Sequence, residues 1–256
     1  MASAIIHLCV AKEVNKYLNM DENELLLGSI APDISKQIGQ TKEISHFLDY
    51  SNEDDIPNID RFLAKYKSEL NNPFEMGYLI HLLTDKYWFR DYVYQYIEKY
   101  TKNSVKKNIT YTAIRDVIYN DYTNINIDLI DKYMLPLKIF YNEFKCPQSK
   151  ITEIPVDKLY ILIEKMGLII EESKQEKTFM FDTTDIEIFI TNTVRYIIKD
   201  IMILGIRPQK WFAKIIFLIC LLYVIIKIIG GGINEDLWRM WLCYEWFWWC
   251  MPKLQS

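Results

Sequence analysis

The stretch GYLIHLLTDKYWFRD, Gly77 to Asp91, constrains the fold of this chain more than any other. Its apolar residues call for burial, yet it carries His81 and Asp85 four positions apart. On a helix, residues i and i+4 share a face, with Cβ atoms roughly 5–6 Å apart. A fold that buries this helix must therefore bury an imidazole and a carboxylate side by side. A buried carboxylate is costly unless it is paired or bound to metal. Two readings satisfy that demand: the histidine hydrogen-bonds the aspartate, or both point at one metal ion.

The rest of the chain supports a helical background. It has 256 residues, enough for one large domain or two small ones, with eight glycines, eight prolines and little strand-like alternation. The expectation is an all-α protein. A net charge of −4 gives no electrostatic reason to expect nucleic acid as a partner. The five cysteines form no CxxC pair and are odd in number, so reduced, buried thiols are expected rather than disulfides or a thiolate zinc site. The opening segment MASAIIHLCVAKEVNKYL lacks a basic region and a long apolar run, so no signal peptide and a cytoplasmic location are expected.

Helical spacing of Ile6, Val10, Val14 and Tyr17 predicts a first helix from Ala4 to Leu18. Asp21 reads as the N-cap of a short helix through Leu27, which Gly28 and Pro32 are expected to end. A loop follows, with "SHF" at Ser45–Phe47 returning to apolar surroundings. Asn58 to Leu70 reads as a surface helix, and Pro73 suits the first turn of the helix that carries His81. Further helices are expected at Tyr111–Tyr119, Ile127–Met134, Val156–Glu172 and Thr184–Leu204. Residues 1–210 are expected to form the helical domain and 211–256 an apolar, Trp-rich tail. That tail holds twelve uninterrupted apolar residues, Ile215 to Ile226, and then five of the seven tryptophans. It suits either membrane contact, near the length needed to span, or a buried terminal helix.

All three histidines, His7, His46 and His81, sit in apolar settings within the first third of the chain. Together with Asp33 and Asp85 they offer the neutral imidazoles and carboxylates that bind catalytic zinc. A lone histidine on such a face is more often a core residue; three of them, with two carboxylates, weaken that reading and leave a metal site as an equal alternative.

The ordered pattern SAIIHLCVAKEV, LLLGSIAPD, SHF and GYLIHLLTD resembles the zinc-dependent phospholipase C family. That family includes bacterial phosphatidylcholine-hydrolysing enzymes and clostridial alpha-toxin and is structurally related to P1-type nucleases. The resemblance spans about Ser3 to Trp88. It implies an all-helical fold around a zinc cleft, with His7, Asp33, His46, His81 and Asp85 as metal ligands and Asp85 bridging two ions. In that scheme Asp33 either completes the first metal site or accepts a proton from the attacking water. Departures are equally plain. Family members use a mature N-terminal Trp as ligand, and here the nearest Trp is Trp88. No histidine follows His81, and Asp91 stands where the next one would fall. Asp91 is either an oxygen ligand or an exposed helical carboxylate, and Asp116 and Asp121 are weaker candidates. One or two zinc ions are therefore expected, not three.

The reaction implied is hydrolysis of a phospholipid or other phosphoester. Tyr78, Tyr87 and Trp88 either line the cleft or pack in the core. The alternative to an enzyme is a degenerate relative: a metal-binding scaffold, or a membrane-attached interaction protein.

Overall fold

The computed structural model describes residues 2–49, 56–103, 110–136, 145–174 and 176–206. The apolar, Trp-rich tail and its expected membrane contact lie outside the described residues. Within them no strand occurs, only an isolated antiparallel bridge between Leu48 and Pro57, so the fold is all-α. The helices are α1 (Ala4–Leu18), α2 (Glu22–Ile30), α3 (Ile34–Gln37), α4 (Ile59–Tyr66), α5 (Pro73–Tyr87), α6 (Val93–Asn103), α7 (Tyr111–Tyr133), α8 (Leu159–Glu171) and α9 (Thr183–Ile203). Among the described residues no helix is long and apolar enough to cross a membrane.

α5 is the central helix. Pro73 opens it at a position whose N–H would be unsatisfied anyway. Every residue from Phe74 to Asp85 is buried, which makes it a core helix with no solvent face over three turns. α1, α2 and α9 pack on it, α7 lies against α1, and α8 covers α3. The α1 expectation holds at both ends: the Ser3 hydroxyl accepts from the Ile6 amide, and Asn19 closes the helix in the left-handed conformation. One detail differs. Ile6, Val10 and Val14 are buried, but Tyr17 is exposed and Leu18 takes the inward position.

Gly28 does not end α2, as the sequence suggested. The helix runs on to Ile30, and a 3₁₀ turn, Ala31–Asp33, carries it into α3. Gly28 has another reason to be glycine. A Cβ there would stand 2.1 Å from the Phe74 carbonyl oxygen, and a Cβ on Gly77 would stand 2.1 Å from the Leu25 carbonyl oxygen. The two glycines face each other's helix and let the backbones of α2 and α5 touch.

The expected pair of helices at 111–119 and 127–134 is one helix, α7. The stretch between them, Asn120–Asn126, is polar. Its side chains reach sideways to hold residue 173 and residues 177–181. The Asp121 carboxylate accepts from the amides of Phe179, Met180 and Phe181, Asn124 donates to the Lys177 carbonyl, and Asn126 donates to Ser173. α9 then starts at a capping box formed by Asp182 and Asp185. Of the thiols, Cys9 is buried as expected, whereas Cys146 is exposed.

Candidate metal centre

Four separate pieces of chain deliver five ligand-type side chains to one place. His7 comes from the first turns of α1, Asp33 from the 3₁₀ turn after α2, His46 from the loop before α4, and His81 with Asp85 from α5. His7, His81 and Asp85 are fully buried; His46 and Asp33 are 2% and 9% exposed. His46 is turned inward by its neighbour. Phe47 adopts a left-handed backbone (φ 54°), strained for a bulky residue, and is held there by the Asn58 amide on its carbonyl and by edge contacts with Phe62 and Tyr78.

The ligand atoms have the spacing that a shared ion requires. Tetrahedral ligands about 2.1 Å from an ion lie about 3.4 Å apart. His46 Nε2 and His81 Nε2 are 3.1 Å apart. Asp85 Oδ2 lies 3.6 Å from His81 Nε2 and 3.7 Å from His46 Nε2. Asp33 Oδ1 lies 3.5 Å from His46 Nε2. His7 Nε2 approaches the other oxygen, Asp85 Oδ1, at 3.4 Å, and its ring stacks on that of His81 with centroids 3.8 Å apart. Two groupings can hold a metal ion: His46, His81 and Asp85, and His7, Asp33 and His81.

The supporting hydrogen bonds let His81 serve only one of them at a time. His81 Nδ1 lies 2.8 Å from the Ser29 carbonyl oxygen, which can only accept. That bond places the proton on Nδ1 and leaves Nε2 as a lone pair for one ion. His81 therefore cannot complete both groupings at once. His46 Nδ1 contacts the Ser45 hydroxyl at 2.9 Å, and that hydroxyl also reaches the Lys42 carbonyl at 3.3 Å. When the hydroxyl donates to Nδ1, His46 Nε2–H donates to His81. When it donates to Lys42, the proton moves to Nδ1 and His46 Nε2 is bare. Both Nε2 atoms can thus face an ion without movement of a heavy atom.

A histidine–aspartate pair satisfying only itself would leave nothing over. Here four buried atoms have no hydrogen-bond partner: His7 Nδ1, His7 Nε2, Asp33 Oδ1 and Asp85 Oδ2. Stranding so many polar atoms in one spot is costly, and a cation would satisfy the two carboxylate oxygens and one lone pair of His7. The charge states of His7 and the two carboxylates agree; at His81 burial lowers the imidazole, but the carboxylates of Asp85 and Asp33 raise it above its ordinary value. Burial, with the adjacent His81, pushes His7 down to about 4, so it is neutral at pH 7. Burial alone would raise both carboxylates. The three imidazoles, His46 foremost, together outweigh it at Asp33, which falls to about 2, and the imidazoles of His7 and His81 hold Asp85 well below the carboxylate range. Neutral imidazole and ionised carboxylate are the forms that bind metal.

Three partners of the centre were not legible beforehand. The Ser29 carbonyl, the Ser45 hydroxyl and the Ala2 amide, which donates to Asp85 Oδ1 at 2.9 Å, act through backbone or through a common small side chain. The "GS" and "SH" pairs beside the ligands were the only trace of the two serines. Of the remaining candidates, Asp91 is exposed and forms a two-point ion pair with Arg90, at 2.7 and 2.5 Å. Asp116 is exposed, and Asp121 serves the backbone at 179–181. Tyr78, Tyr87 and Trp88 are buried core residues.

One cavity opens onto the centre. It holds about 190 Å³ and is lined by Asp33, with Lys36, Gln37, Tyr119 and Asn126 on its polar side and Ile5, Leu162 and Met166 on its apolar side. No family model, curated protein or solved structure matches the chain.

Proposed function

We propose that this protein is a zinc-dependent phosphoester hydrolase of the phospholipase C type. One observation carries the reading. The five residues singled out by the ordered motifs, spread over 79 positions of sequence from His7 to Asp85, meet in one buried cluster with the separations of a metal's ligands. Three imidazoles and two carboxylates suit zinc better than magnesium or calcium, which prefer oxygen ligands. When bound, zinc supplies a water acidified to about pKa 7 and a positive charge facing the phosphoryl oxygens.

The chain's own residues have distinct parts. His46, His81 and Asp85 would hold the first ion. His7 and the second oxygen of Asp85 offer a place for another. Ser29 and Ser45 fix the imidazole orientations. Asp33 is ionised and is the only one of the five that lines the cavity. It orients the attacking water by accepting its hydrogen. With so low a pKa it steers the proton rather than holding it. The buried surroundings of the cluster keep bulk water from competing with substrate.

The test is hydrolysis of a chromogenic phosphocholine ester and a chromogenic phosphodiester by the zinc-loaded chain. Wild type is expected to turn over at least one. His81→Ala and Asp85→Asn are expected to lose both activity and bound zinc. A second reading, a metal-stapled scaffold without catalysis, draws on the Arg90–Asp91 pair and the lack of any histidine after His81, which leave no third zinc set. A fully zinc-loaded wild type inactive on every phosphoester would favour it.

A further inference from the structure

We infer that Lys36 is the residue that positions an anionic phosphoester at the centre, in the cavity beside Asp33. This rests on the hydrolase reading above. Among the described residues, Lys36 is the only cationic side chain lining that cavity, and Asp33 the only anionic one. The two are three residues apart on the continuous 3₁₀-to-α3 segment, so they face the cavity together. Lys36 has no carboxylate partner among the described residues. Its ammonium donates to the Tyr119 hydroxyl at 2.9 Å and lies 4.7 Å from that ring's centroid. The tyrosine restrains the lysine without neutralising it, and the ammonium has further N–H donors to spare.

The cavity's other wall sets the rest of the substrate. Leu162 and Met166 on α8 are buried beneath it, and Ile169 at its rim is 40% exposed. A volume of about 190 Å³ accommodates a phosphoryl group and a few more atoms. The phosphate therefore lies between Lys36 and the metal ligands, with a non-bridging oxygen on the ammonium. The apolar part of the ester runs outward over Leu162, Met166 and Ile169. Without the lysine, the carboxylate of Asp33 is the nearest charge such an anion meets as it enters.

The experiment measures zinc content, orthophosphate binding to the zinc-loaded full chain, and the kinetics of phosphodiester hydrolysis, for wild type, Lys36→Met and Lys36→Arg. Lys36 is a surface side chain, so both variants should fold and retain zinc. Loss of a charge-assisted hydrogen bond predicts that Lys36→Met binds orthophosphate about tenfold more weakly or worse. KM should rise by a similar factor with kcat less affected, and Lys36→Arg should recover much of both. If zinc-loaded Lys36→Met matches wild type in phosphate affinity and KM, the inference is overturned while the metal centre stands. Absence of phosphate binding by zinc-loaded wild type overturns it too. A wild-type chain that takes up no zinc overturns the hydrolase reading and this inference with it.

Discussion

His81 shows at the scale of one residue how the centre is specified. Its Nδ1 proton is committed to the Ser29 carbonyl, its ring face to His7, and its Nε2 to the gap shared with His46 and Asp85. Nothing of the imidazole is left to adjust. Ser45 orients the His46 ring with a single hydroxyl while leaving its tautomer free to change. Such supporting contacts typically tune metal affinity 10–100-fold. Ser45→Ala is therefore expected to weaken zinc affinity about tenfold, measured by competition with a chelating dye, while thermal stability of the chelated protein changes little. An unchanged zinc affinity would mean that His46 is oriented by packing around Phe47 alone. The five ligand-type residues were legible because imidazole and carboxylate are out of place in apolar sequence. Their helpers were not, since a backbone carbonyl or amide has no sequence signature. Asp91 shows the converse: a carboxylate at suggestive spacing whose neighbour, Arg90, claims it.

Helix ends and crossings obey the same physics at the scale of elements, with different legibility. Caps are local, so Ser3, Asp21 and Asn58 could be expected to start helices or to lie beside their starts, and each accepts from an amide three residues on. Glycine is ambiguous, because one residue type serves both a helix stop and a close crossing. Gly28 was read as the first and is the second. Gly28→Ala and Gly77→Ala should each destabilise the protein by about 3 kcal/mol or more, since the obstacle is backbone rather than a movable side chain. Chemical denaturation reads this directly, and a loss under about 1 kcal/mol would show that α2 and α5 can move apart cheaply. The continuity of α7 was not legible for a related reason: the partners of its polar run lie some 50 residues away in sequence. Asp121→Ala strands three amides and is expected to cost roughly 3 kcal/mol. Asp121→Asn, which keeps an acceptor oxygen, should cost clearly less; equal losses would argue against the capping role.

Over the molecule as a whole, the candidate metal centre joins α1, the α2–α3 turn, the loop before α4, and α5. These pieces are far apart in sequence, so an ion binding them stabilises the folded state and not the unfolded chain. At free zinc a thousandfold above its dissociation constant, linkage gives about 4 kcal/mol. For a domain of this size that raises Tm by on the order of 10 °C. A chelator should reverse the shift in wild type and leave Asp85→Asn unmoved. A Tm insensitive to zinc and chelator alike would mean that the buried polar cluster is satisfied by itself. All-helical character was legible from the scarcity of strand alternation. The meeting of four distant segments was carried only by the motif resemblance, because no periodicity in sequence encodes which helices touch.

The most direct test is anomalous X-ray scattering at the zinc edge from crystals of the zinc-soaked protein. An ion held as described would give a peak about 2.0–2.2 Å from His46 Nε2, His81 Nε2 and an Asp85 carboxylate oxygen. An anomalous map with no peak in the cluster, and His46 still bonded to His81 Nε2 at 3.1 Å, would contradict the metal centre outright.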